Sequence, residues 1–190
     1  MLSSITPLGQ RARGMSWGRT VVGFWIGAIL AGAAVYTVAG LAGQMIGATS
    51  LTPWLMVAVL VQAATLDLAR VRPPVPRRQV DEDWLGRYRD WVIGVGFGGQ
   101  LGVGFATIVP SWGYWATLLV AVLGGLPLAV WMGVGFGVGR SLLLLSTRKV
   151  GSPGSLAETM RRFASAESAA RWTAMAGYAL VIVTVGFHVA

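Results

Sequence analysis

Very few side chains in this sequence could do chemistry. Asp67 and Arg140 are the charges that fall closest to the interior of apolar runs, and Gln62 and Gln100 are amides near the middle of two of them. A charge at the centre of a bilayer costs about 2.5–3.5 kcal/mol, so such groups are either paired or functional. Their ordinary reading is that Arg140 snorkels to the headgroups and Asp67 sits in interfacial water with Arg70. The ordinary reading of each amide is an inter-helix hydrogen bond; its functional alternative is a polar group on a substrate path. His188 is the single histidine and has no partner from which to build a metal site. The run Asp81-Glu82-Asp83 could hold a cation on a lipid-directed enzyme, but helix capping explains it and no second acidic motif completes a site. With no cysteine in 190 residues, disulfides, thiol relays and cysteine metal sites are excluded. No catalytic residue, cofactor or metal is therefore expected.

The elements that must carry these residues are set by composition. The chain is 55% hydrophobic and only 12% charged, with a mean hydropathy of +0.66. Soluble domains carry about 25% charge. These values point to an all-α polytopic membrane protein, a single integral domain over 1–190. Its net charge of +8 could suggest nucleic acid, but the basic residues occur only in gaps between apolar runs, as the positive-inside rule has it. Nucleic acid is not an expected partner. The expected partners are the lipid bilayer and other integral membrane subunits, or further copies of the chain.

Glycine is the second organising feature. The pentapeptide Gly-Val-Gly-Phe-Gly occurs at 94–98 and again at 133–137. On a helix, Gly94, Gly98 and Gly102 share one face, as do Gly133 and Gly137, with Gly135 and Gly139 one step round. Gly23 and Gly27 repeat the spacing in the first apolar run. Such grooves let helix backbones approach closely in lipid, where burying apolar surface gives no drive of its own. The pentapeptide is not a nucleotide loop, since neither the preceding strand nor the following acidic residue is present.

In chain order, a basic segment 1–19 precedes an apolar run over 20–41. A secretory signal ending at Ala-Gly-Leu-Ala-Gly (39–43) is one reading; the length of the run and its packing glycines favour a retained span. Thr52-Pro53-Trp54 opens a second run to about Ala69. The polar segment 70–90 contains an extended proline stretch and then a helix start at Asp81. Trp84, Tyr88 and Trp91 predict an amphipathic helix lying in the interface. A third span is expected over 91–109, and Pro110-Ser111-Trp112-Gly113 is expected to turn the chain on the far side. The run 114–145 is too long for one crossing and is expected to break at Gly124-Gly125-Leu126-Pro127. In the polar segment 146–171, Ser155 and Glu158 match a capping box. Leu156, Met160 and Phe163 predict a second interfacial helix, and a last span begins near Trp172.

All 15 basic residues lie in 11–19, 70–89 and 140–171. Placing those three segments in the cytoplasm gives five transmembrane helices, with six possible if 112–146 crosses twice. It sets loops 70–90 and 146–171 in the cytoplasm of a bacterial inner membrane, with the N-terminus inside and the C-terminus outside.

The order Thr52-Pro53, then Arg78-Gln79-Val80, Arg87-Tyr88-Arg89-Asp90-Trp91 and Gly96-Phe97-Gly98-Gly99-Gln100-Leu101-Gly102 resembles the transmembrane family that includes the cytochrome c biogenesis protein CcdA and the membrane domain of DsbD. The resemblance covers about 52–146. It implies six helices in two inverted halves and a transport or scaffold role. Trp54 stands where that family carries a cysteine beside proline, so its thiol chemistry does not transfer. Two functions follow as expectations: a non-catalytic membrane subunit that packs through glycine faces, or a small transporter lined by Gln62, Asp67, Gln100 and Arg140.

Overall fold

A computed structural model describes residues 5–47, 52–74, 87–105 and 111–189. Among these the chain is helical and contains no strand. The helices are α1 (Pro7–Ala12), α2 (Trp17–Ile46), α3 (Thr52–Leu68), α4 (Asp90–Val103), α5 (Gly113–Leu145), α6 (Pro153–Ser165) and α7 (Glu167–Val189). By length and composition α2 and α5 could each cross a membrane; α3 and the 172–183 stretch of α7 are shorter apolar helices. The chain divides into two compact units, and α2 and α5 contribute residues to both.

The first unit comprises Met1–Gly32, Pro76–Ile108 and Val134–Ala166. Its centre is the crossing of α2 with α4. A Cβ on Gly94 would collide with the Thr20 carbonyl, one on Gly98 with that of Phe24, and one on Gly102 with that of Ala28. From the other side, a Cβ on Gly23 would lie 2.5 Å from the Trp91 carbonyl oxygen, and one on Gly27 would strike that of Val95. Residue numbers rise together on the two helices, so they run parallel. Gly137 on the second arm of α5 closes on Ala28 and Ile29. Ile5, Val21, Phe24, Ala28, Ile93, Phe97 and Leu144 fill the space between. From residue 5 onward the basic N-terminal segment packs into this unit: Thr6 caps α1, Leu8 N–H donates to the Val150 carbonyl (3.1 Å), and buried Gln10 accepts from Thr20 Oγ1 (3.2 Å).

The second unit comprises Ala33–Val75, Val109–Gly133 and Glu167–Ala190. Here α5 reverses. Gly40 packs on Leu126 and Ala129, and Gly43 on Val122, while Tyr36 Oη and Thr117 Oγ1 are 2.6 Å apart. A straight α5 in that register would hold Thr117 roughly 18 Å from Tyr36 at 1.5 Å per residue. The chain instead folds back at Gly125, whose backbone (φ 79°, ψ 172°) is open to glycine and strained for other residues, two residues before Pro127. The arm over 113–124 runs parallel to the end of α2. Against that arm α3 runs antiparallel, with Leu60 and Ala63 on Ala116 and Val120, and Met132 returns to the same cluster.

Several expectations change at this level. Ser111 and Trp112, expected in a turn on the far side, sit instead beside Asp67 at the C-terminal end of α3, and α5 itself folds back at Gly125; Pro110 lies outside the described residues. Asp67 and the 111–113 segment therefore cannot lie on opposite sides of a membrane. The third span, expected over 91–109, is helical only to Val103, where Gly104 takes a φ of 78°; residues 106–110 lie outside the described region. The helix start expected at Asp81 lies outside it too, as does Trp84. The aromatic stripe through Tyr88 and Trp91 is not one helix, because Arg89 is extended (ψ 156°) and caps α4 without a side-chain bond. The capping box at 155–158 is displaced by three residues. Ser152 and Ser155 cap each other's backbone instead, since Pro153 fits the first turn and fixes the start. Glu158 is free to bind Arg161 (2.7 Å) and Arg162 (2.9 Å).

Candidate functional site

Of the polar residues singled out from sequence, Asp67 has the most developed surroundings. It lies in the last turn of α3, where the helix dipole disfavours a carboxylate. The second unit compensates by bringing a helix N-terminus to it. Oδ1 accepts the Trp112 backbone N–H at 2.8 Å, and Oδ2 accepts Ser111 Oγ at 2.7 Å and the Tyr178 hydroxyl at 3.0 Å. Ser111 Oγ in turn accepts the Gly113 N–H (2.9 Å), and the Trp112 indole donates to the Val71 carbonyl (2.8 Å). Asp67 thus caps α5 from another helix and ties α3, α5 and α7 through one carboxylate. Charge-assisted bonds of this kind are the stronger class.

The expected pairing with Arg70 does not occur: among the described residues no ion pair joins them, and Arg70 is exposed with a φ of 57°. Ser111 was legible as a polar residue ahead of an apolar helix. Tyr178 gave no signal, because an aromatic inside an apolar span reads as packing until a partner is placed beside its hydroxyl.

Arg140 is half-buried in the first unit, its guanidinium carbon 5.6 Å from the ring centroid of Phe136, one turn earlier on α5. That is cation–π distance. Gln100, half-buried, belongs to the same unit, whereas Gln62 belongs with Asp67 to the second and is exposed. The four residues expected to line one path are thus divided two and two. The side chain of His188 lies outside the described region. Among the described residues no group of three His, Cys, Asp or Glu could hold a metal.

The glycines separate into two classes. Gly23, Gly27, Gly94, Gly98, Gly102 and Gly137 lie where another backbone of the same chain leaves no room for a side chain, and Gly133 is buried. Gly40 and Gly43, within the stretch that could be read as a cleavage site, lie inside α2 and pack in the same way. Gly99, Gly135 and Gly139 have nothing within 4 Å of a Cβ position.

Helix α6 carries Leu156, Met160 and Phe163 on a half-buried face, with Arg161 and Arg162 exposed. Hydrogen bonds from Arg162 and then Arg161 hold the Glu158 carboxyl below its ordinary pKa.

No family model matches the chain, and no solved structure matches it. Among curated proteins it is similar to the methylamine utilization protein MauF of Paracoccus versutus, with 31% identity over 131 residues. The match takes in 65% of this chain and 48% of that protein, so the chain spans about half the length of the relative it matches.

Proposed function

We propose that this chain is a non-catalytic integral membrane subunit that holds other membrane proteins, or further copies of itself, against its outward face. The similarity to a methylamine utilization protein supports placing that assembly in the utilization of a small amine. The observation that carries the reading is the division among glycines: those that could serve as docking grooves at 23, 27, 94, 98, 102 and 137 are filled from within, which leaves Gly135 and Gly139, four apart and open, as the ridge for a partner helix. Helix α6 supports a cytoplasmic-leaflet contact through its apolar face and its arginines. Purification in mild detergent after crosslinking in native membranes tests the proposal. Gly135→Leu with Gly139→Leu is expected to abolish the crosslinked species while leaving thermal stability within a few degrees. A wild-type chain that crosslinks to nothing and purifies as a stable monomer would reject it.

The reversal at Gly125 favours a second reading, a small transporter with a fold like that of CcdA. The arm over 113–124 is about 18 Å long at 1.5 Å per residue, too short to cross a hydrocarbon core of about 30 Å alone. Interrupted helices of this kind line substrate sites in transporters. Methylammonium uptake into proteoliposomes that is unchanged by Asp67→Asn and Gln100→Leu would discard it.

A further inference from the structure

We draw no further inference here: the strongest candidate, the outward surface patch on the second arm of α5 where Gly135 and Gly139 lie open between exposed Trp131 and Leu142, belongs to the docking face already proposed, and nothing in the structure shows what covers it.

Discussion

The parallel crossing of α2 and α4 can be tested by adding one methyl group at two neighbouring places. At Gly23 a Cβ would lie 2.5 Å from the Trp91 carbonyl oxygen, where ordinary contact begins near 3.4 Å, so Gly23→Ala must push the two helices apart by about 0.9 Å. A gap of that size forfeits a quarter to a half of each dispersion contact along the seam, and overpacking of this kind typically costs about 1–3 kcal/mol. At Gly99, on the partner helix, a Cβ meets nothing within 4 Å. Alanine there changes only helix propensity, a gain of roughly 1 kcal/mol that Gly23→Ala shares. The difference between the two variants therefore isolates the steric effect. For a chain of this size 1 kcal/mol shifts Tm by about 2–4 °C, so Gly23→Ala should melt roughly 2–12 °C below Gly99→Ala. Thermal unfolding in dodecyl maltoside micelles, followed by circular dichroism, reads this directly. Equal melting temperatures would mean that the backbones do not meet at Gly23, and the close-packed seam would be refuted.

Other perturbations address the second unit and α6. Asp67→Asn removes the charge from three hydrogen bonds, each worth about 1.5–3 kcal/mol when one partner is charged and nearer the lower figure for a half-buried group. It should lower Tm more than Tyr178→Phe, which deletes one of the three; the reverse order would show that the carboxylate is not the hub. Because the chain has no cysteine, Asp67→Cys with Ser111→Cys should crosslink on oxidation, read as a joined peptide by mass spectrometry; no crosslink is possible if the two positions lie on opposite membrane faces. Ser152→Ala should destabilise α6 by about 1 kcal/mol through loss of its cap, seen as faster amide exchange confined to 153–158. The Glu158 pKa is lowered in the folded state, so its pairing with Arg162 and Arg161 is fully present above the ordinary carboxylate pKa and is lost as pH falls through the lowered value. Protection of the α6 amides, measured against their intrinsic exchange rates at each pH, should accordingly stay flat from neutral pH down to the ordinary carboxylate range and fall only below it.

Much of the helical content was legible because apolar runs, prolines and caps act locally. The sequence placed α2 and α3 to within a few residues, and it marked Gly124-Gly125-Leu126-Pro127 as a break, since a glycine pair followed by proline weakens a helix wherever it stands. It also marked Leu156, Met160 and Phe163 as one face. The Asp67 site was half legible: a carboxylate near a span end attracts notice, but its natural partner by proximity was Arg70, three residues on. Ser111, Trp112 and Tyr178 are 44, 45 and 111 residues away. Nothing local pairs groups across such separations.

Composition, periodicity and the count of glycines determine by themselves that this chain is helical, strongly apolar and built to let backbones touch, because those properties belong to each residue and its near neighbours. Which backbones touch was decided only by the tertiary structure. The 94–102 face meets Thr20, Phe24 and Ala28 of the same chain and Gly137 meets Ala28 and Ile29, while Gly135 and Gly139, one step round on the same helix, meet nothing. Gly125 sharpened the difference, turning an expected break into a reversal and bringing residues 111–113 to Asp67. A glycine permits a turn or a close contact without specifying it; the choice is made by whichever arrangement satisfies most donors and fills most space at once, a property of the whole fold.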